Sequence, residues 1–178
     1  MKKCLMMALM TLALFACKGN KSTTPEAEEN AADEVENNVQ AVSDAQQFDF
    51  VLAMQDGVEM NVLEEVKNHE VTILDFWASW CGPCCAEMPN MVSIYKNYQE
   101  KGLGIIGISL DQDYDAWTTA IEELGITWPS LLDTDGDIAT KFNIEYIPYT
   151  IVVDSKGTIL ATNLRGDELK KFVEEQFK

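Results

Sequence analysis

The residues best suited to chemistry lie together in one motif, Trp80-Cys81-Gly82-Pro83-Cys84. Two cysteines three residues apart at a helix start lie one turn apart, close enough for a disulfide. Unpaired N–H groups and the helix dipole stabilise a thiolate there, and such settings lower a cysteine pKa from about 8.5 to about 3.5–7.5. Pro83 suits the first helical turn, where no N–H donor is needed. The motif therefore predicts a nucleophilic thiolate that attacks disulfides.

The same cysteine pair has two other interpretations, a static structural disulfide and half of a zinc site. A bridge across so short a gap would remove little loop entropy from the unfolded chain. The sequence has five cysteines and one histidine but no second Cys-x-x-Cys pair, so a zinc site is hard to assemble. We therefore expect a redox-active pair that uses no metal and no other cofactor.

Regular alternation of apolar runs and turn residues from Phe48 onward predicts the elements that position this motif. Residues 71–78 form an apolar run that enters the turn before Cys81, and residues 104–110 are typical of a central parallel strand. The other predicted elements are a hairpin over 48–54 and 58–62, helices after Cys81 and over 115–124 and 137–142, a strand over 130–132, a hairpin over 150–153 and 159–163, and a last helix that Asp167 caps. This alternation indicates an α/β fold.

Three segments resemble the thioredoxin superfamily and, within it, the membrane-tethered TlpA/ResA-like thiol–disulfide oxidoreductases. They are LDFWASWCGPC at 74–84, CAEMP at 85–89 and IPYT at 147–150, and the resemblance covers residues 48–178. It implies a thioredoxin fold, in which helices flank a central mixed β-sheet. The N-terminal β-hairpin predicted above would precede this fold, and the helix and strand at residues 115–132 match the family's central insertion.

The resemblance also implies roles for individual residues. Cys81 would be the attacking thiolate and Cys84 the resolving thiol. Pro148 would be a cis-proline that faces the pair, and Glu87 would lie near enough to tune it. Trp80 would lie beside the active site.

A proton acceptor is needed when Cys84 resolves the mixed disulfide, because burial raises the pKa of a thiol. Asp75 matches the buried acid of thioredoxins proper, on the same side of its strand as Trp77, and Glu87 lies one helical turn after Cys84. We favour Asp75 as the acceptor and Glu87 as a modulator, since a strand holds its residues more rigidly. The alternative is a buried structural acid and a solvated one.

Cys85 departs from the family, which usually has a basic or polar residue there. The spacing Cys81-x-x-x-Cys85 is that of Sco-like copper chaperones, but their histidine follows the cysteines, whereas His69 precedes them. Cys85 can instead be a bystander thiol or form a minor alternative disulfide. A peroxiredoxin-like peroxidase is a further alternative, although neither Cys81 nor Cys84 has the required Pro-x-x-x-Thr-x-x-Cys setting. A binding platform without redox activity would not need the intact pair.

The N-terminal segment predicts export. Residues 1–16 have a basic start and an apolar run too short to span a bilayer, which takes about 20 residues, so they read as a lipoprotein signal peptide. The run ends in Leu14-Phe15-Ala16-Cys17, which resembles a bacterial lipobox apart from Phe15 and implies lipidation of Cys17. Ordinary signal cleavage is the alternative. Residues 17–47 are acidic and lack aromatics, which indicates a disordered tether before the thioredoxin-like domain at 48–178.

The charge balance constrains the partners. A formal net charge of -17 and a pI near 4.2 argue against nucleic-acid binding, which needs clustered positive charge. The predicted location is the periplasm, on a lipid anchor in a bacterial membrane, and the predicted clients are exported proteins with disulfides. Gly82-Pro83 is the dipeptide of reducing thioredoxins, so we expect a reductant. A reductant in an oxidising compartment needs a membrane or periplasmic electron donor.

Overall fold

The structure, a computed structural model, describes residues 46–178. The predicted signal peptide, the lipidated Cys17 and nearly all of the tether lie outside the described residues. The strands are β1 (Val51–Met54), β2 (Glu59–Asn61), β3 (Val71–Trp77), β4 (Leu103–Ser109), β5 (Ser130–Leu132), β6 (Tyr149–Asp154) and β7 (Ile159–Thr162). The helices are α1 (Val62–Val66), α2 (Gly82–Tyr98), α3 (Tyr114–Leu124), α4 (Asp137–Lys141) and α5 (Gly166–Gln176), with a 3-10 turn at Gln99–Lys101.

These strands form one mixed sheet in the order β2-β1-β5-β4-β3-β6-β7. The pairs β3–β4 and β4–β5 are parallel, and the other pairs are antiparallel. The N-terminal hairpin lies at one edge, and β5 of the helix–strand insertion lies between that hairpin and β4. The predicted α/β fold, a mixed sheet flanked by helices, is confirmed.

The sheet is buried on both faces, and the side chains of β3 point alternately to these two faces. Ile73 and Trp77 pack on one face, in a core that includes Met88 of α2 and Val173 of α5. Leu74 and Phe76 of β3 pack on the other face, in a core that includes Phe48. Because both faces are covered, every residue of β3 and β4 is buried. The motif-bearing helix α2 therefore rests on a rigid central strand.

Two predicted details are wrong. Val62 begins α1 and does not end a strand, because Asn61 Oδ1 accepts the N–H of Glu64 at 3.0 Å and caps the helix. Asp167 does not cap α5 but lies in its first turn, and no side chain caps this helix from the N-cap position. The N–H of Gly166 instead donates to Glu87 Oε1 of α2 at 2.7 Å. A carboxylate from another helix thus replaces the local cap.

No helix within residues 46–178 is both long and apolar enough to cross a lipid bilayer.

Candidate active site

The cysteine pair lies at the N-terminus of α2, directly after the turn that follows β3. Cys81 is the N-cap residue, and its Sγ lies 2.05 Å from Cys84 Sγ in a disulfide. The backbone N–H of Cys84 points at Cys81 Sγ, with the nitrogen at 3.2 Å. Gly82 and Pro83 are exposed, whereas Cys81 is 6% and Cys84 1% exposed. A helix-terminal donor therefore faces the sulfur of the more accessible cysteine, which favours a thiolate there in the reduced state.

A buried carboxylate that the sequence analysis missed holds the turn before Cys81. Asp111 follows β4 and is 1% exposed. Its Oδ2 accepts the backbone N–H of Ser79 at 2.8 Å, and its Oδ1 accepts the Ser79 hydroxyl at 2.6 Å. Ser109 Oγ donates to Oδ2 at 2.6 Å. Asp111 therefore fixes the backbone two residues before Cys81. The sequence carries one sign that Asp111 lies near the site: this residue comes just after a parallel strand, and the carboxyl ends of parallel strands meet at one edge of the sheet.

The free cysteine next to the pair belongs to the same turn. Cys85 is half-buried, outside any disulfide, and its Sγ donates to the backbone oxygen of Ser79 at 3.4 Å. His69 lies before β3, whereas Cys81 and Cys85 follow β3. A strand rises about 3.3 Å per residue, so the length of this seven-residue strand separates the histidine from both cysteines. The ring Nε2 of His69 lies 3.1 Å from Glu65 Oε1 instead. The geometry therefore brings no histidine to a Cys81–Cys85 copper site.

Asp75 lies in the middle of the sheet on the face that α2 covers. It is 4% exposed, and no donor among the described residues bonds to its carboxyl group. Burial, and then the negative charge of Glu87, raise the pKa of Asp75 from 3.8 to about 7. A carboxyl group with that pKa can take up or release a proton near neutral pH, as general acid–base catalysis requires.

Glu87 is half-buried and joins α2 to the start of α5. Its Oε1 accepts the N–H of Gly166 and the side-chain amide of Asn90, each at 2.7 Å. Asn90 Nδ2 also donates to the Gly166 oxygen at 3.2 Å. Glu87 is therefore not a freely solvated acid, and it influences Asp75 through its charge.

The loop before β6 lies at the same end of the sheet as the cysteines. The Ile147–Pro148 peptide bond is cis, and Pro148 is buried. Tyr149, the next residue, pairs with Phe76 near the end of β3. Trp80, directly before Cys81, is 66% exposed. Of the predicted site residues, the two cysteines, Asp75 and Pro148 are thus buried, Glu87 is half-buried, and Trp80 is exposed beside the pair.

The location of the dithiol within the sheet defines the class of the protein. A Cys-x-x-Cys pair at the start of the helix that follows a central parallel strand is the arrangement of a thioredoxin-fold oxidoreductase. Proteins of similar sequence and structure belong to the same class. The AhpC/TSA family matches residues 43–162 of the chain.

Several relatives and solved structures that resemble this chain are named as thiol-disulfide oxidoreductases. The thiol-disulfide oxidoreductase ResA of Bacillus thuringiensis subsp. konkukian is 30% identical over 129 residues, which cover 72% of this chain and 73% of the relative. The thioredoxin domain of a thiol-disulfide oxidoreductase from Bacteroides vulgatus is 31% identical with a TM-score of 0.67, covering 72% of this chain and 93% of that one. A thiol-disulfide oxidoreductase from Bacteroides fragilis is 30% identical with a TM-score of 0.65, covering 71% and 95%.

The chain therefore belongs to the AhpC/TSA family, among its TlpA/ResA-like thioredoxin-fold members. It is a thiol–disulfide oxidoreductase, and the predicted thioredoxin fold is confirmed.

Proposed function

We propose that this protein reduces disulfides of exported proteins through Cys81 and Cys84. The observation that carries the proposal is the Cys84 N–H aimed at Cys81 Sγ, because it stabilises a thiolate on the cysteine that clients can reach. The exposed Gly82-Pro83 tip and the exposed Trp80 ring give a client chain access to that sulfur.

The reaction takes two exchange steps. The Cys81 thiolate attacks one sulfur of the client disulfide, forms a mixed disulfide and releases the other client sulfur as a thiolate, which takes up a proton. The Cys84 thiolate then attacks Cys81 Sγ, closes the Cys81–Cys84 disulfide and releases the second client thiol. Two electrons pass to the client, which ends as a dithiol.

The second step needs Cys84 to lose its proton in a buried setting. Asp75 is the acceptor in this proposal, because its pKa of about 7 lets its carboxylate accept a proton near neutral pH. Glu87 is a positioning residue: its charge raises the Asp75 pKa, and its hydrogen bonds hold α2 against α5.

The proposed reductant role requires a renewed supply of electrons. Outside the cytoplasm these come from a membrane or periplasmic donor. A reductant should have a Cys81–Cys84 reduction potential closer to that of thioredoxin, about −270 mV, than to that of DsbA, about −120 mV.

Cleavage before Cys17 and lipidation of Cys17 would keep the domain at a bacterial membrane, with residues 17–47 as the tether. Cys17→Ala should then release the protein from the membrane fraction.

Turnover of a disulfide-bonded protein, with dithiothreitol as the electron source, tests the proposed function. The full chain should accelerate reduction, and Cys81→Ser should abolish it. Cys84→Ser should slow reduction, because only dithiothreitol can then release the client from the mixed disulfide. Cys85→Ser is the matched control and should retain activity, because Cys85 is not in the disulfide. A hydroperoxide should not be a competing oxidant. Faster turnover of the hydroperoxide than of the protein disulfide would favour the peroxidase and overturn the proposal.

A further inference from the structure

Three buried polar atoms beneath α2 find no hydrogen-bond partner within residues 46–178. They are Trp77 Nε1, Trp128 Nε1 and Ser130 Oγ, on side chains that are 0%, 3% and 0% exposed. A buried donor or acceptor left unpaired costs about 1–3 kcal/mol, so such groups in folded proteins usually bond to protein or to ordered water.

The three atoms converge on Gly107 of β4. A Cβ atom built on Gly107 would lie 3.2 Å from Trp77 Nε1, 3.2 Å from Ser130 Oγ and 3.5 Å from Trp128 Nε1. Gly107 is not among the glycines with positive φ, so its backbone does not require glycine. Because Gly107 has no side chain, these three polar groups lie around the space above its Cα atom.

We propose that one buried water molecule binds over Gly107, between the indoles of Trp77 and Trp128 and the hydroxyl of Ser130. An indole N–H can only donate, so the bound species must accept two hydrogen bonds, which excludes a cation. The buried polar and charged residues within 46–178 include no Lys or Arg, and Asp75 lies on the next strand, which disfavours an anion. A water molecule suits the site, since buried waters make about three hydrogen bonds to otherwise unpaired groups.

The strand register places this water beside Asp75. Gly107 pairs with Asp75 on β3 and with Ser130 on β5, so the three residues face the same side of the sheet. Neighbouring strands are about 4.8 Å apart. A water that accepts from both indoles has two protons to donate, one to Ser130 Oγ and one towards the Asp75 carboxylate. The link to resolution, unlike the water site itself, rests on the proposed role of Asp75.

Apart from burial, the charge of Glu87 on α2 raises the pKa of Asp75. Helix α2 carries Glu87 and, in the reduced protein, the Cys81 and Cys84 thiols. Directly across β6, the register partner is Thr150, which does not titrate and donates to the Leu164 oxygen at 2.8 Å. In the oxidised protein, Glu87 and the water are therefore the two groups that affect the Asp75 pKa and that substitutions can remove one at a time.

Indole N–H resonances of the full-length oxidised chain test the site, because its four tryptophans include an internal control. Trp77 and Trp128 should each show a nuclear Overhauser effect to a long-lived water. Trp80 is 66% exposed and contacts bulk water that exchanges rapidly, so its indole should show no effect to a long-lived water. Gly107→Ala places a methyl group at the site and should remove both effects together. Absence of the effects in the native chain, or their survival in Gly107→Ala, would overturn the water site.

Ser130→Ala provides a second variant, because it removes one partner while leaving room for the water. Both water signals should weaken together, and unchanged signals at Trp77 and Trp128 would overturn the site.

The Asp75 carboxyl resonance tests whether the water donates to the Asp75 carboxylate. Gly107→Ala should raise the Asp75 pKa by about one unit, since the carboxylate loses a donor. An unchanged Asp75 titration would overturn that link. Failure of disulfide exchange in the native chain would refute the proposed function and leave the water signals unaffected.

Discussion

Two buried aspartates at neighbouring parallel strands contrast in their hydrogen bonding. Asp111, after β4, accepts hydrogen bonds from the Ser79 N–H, the Ser79 hydroxyl and the Ser109 hydroxyl. Asp75, within β3, has no donor among the described residues, and its pKa is raised to about 7. Similar burial therefore gives two different kinds of acid. A carboxylate with a full set of donors holds the active-site turn, whereas one without them is poised to exchange a proton.

The largest effect should be the pH dependence of stability that Asp75 causes. Its pKa rises from 3.8 to about 7 on folding, so the folded state binds the proton more tightly. That contribution is fully present below pH 3.8 and is lost as the pH rises through about 7. The free energy of unfolding should thus fall by on the order of 4 kcal/mol across that window.

Asp75→Asn, which cannot ionise, isolates this contribution. Urea unfolding of the oxidised variant and of the native chain from pH 4 to pH 8 should show the variant gaining relative stability as the pH rises. A constant difference between the two proteins across this range would show that Asp75 resembles Asp111 in being a purely structural acid.

The next largest effect should be kinetic. Asp75→Asn should leave the first attack by Cys81 nearly unchanged but slow resolution by Cys84 about 100-fold at pH 7, the lower end of the usual general-base contribution. Mixed disulfide should accumulate near neutral pH, and higher pH should largely restore the rate, because Cys84 then ionises without help. Stopped-flow detection of the mixed disulfide measures both steps.

Asp111→Asn should affect stability rather than proton transfer. The amide keeps the shape of the side chain but weakens its hydrogen bonds to Ser79 and Ser109, so the free energy of unfolding should fall by about 2 kcal/mol. The pH profile of resolution should keep its midpoint, which separates a positioning role from an acid–base role. A midpoint shifted by Asp111→Asn would remove the distinction between the two acids.

Glu87→Gln should have the smallest effect. It removes the charge that raises the Asp75 pKa but keeps an oxygen for the Gly166 N–H. The Asp75 pKa should therefore fall by less than about one unit, with little change in stability. Glu87→Ala, which also loses the oxygen, should lower stability as well. Slow resolution in Glu87→Gln together with normal resolution in Asp75→Asn would reverse the assigned roles.

Local patterns in the sequence were sufficient for much of the fold and for the dithiol. The apolar strand before Cys81 and the β-branched run of β4 have strong signals, and both strands lie where the sequence indicates. Helix α1 is only five residues long, too short to show helical periodicity. Its signals were Asn61, a favoured N-cap residue, and the acidic residues Glu64 and Glu65 in the first turn.

Residues that depend on strand order could not be assigned from the sequence. Asp111 acts on Ser79 only because β3 and β4 are adjacent and parallel, which the sequence does not specify. Gly107 resembles any small residue in an apolar strand until the two indoles that face it are known. The Glu87 bond to Gly166 spans two helices that are far apart in the chain. Such contacts come from the tertiary packing, not from local spacing.

The most direct test of the account compares which cysteine variant traps a client. Reduced Cys84→Ser and Cys81→Ser proteins, each in a Cys85→Ser background, are mixed with a disulfide-bonded protein and separated on non-reducing gels. The account predicts a stable mixed disulfide for Cys84→Ser, because Cys81 attacks and nothing resolves the product, and none for Cys81→Ser. Equal trapping by both variants would contradict the division between an attacking and a resolving cysteine.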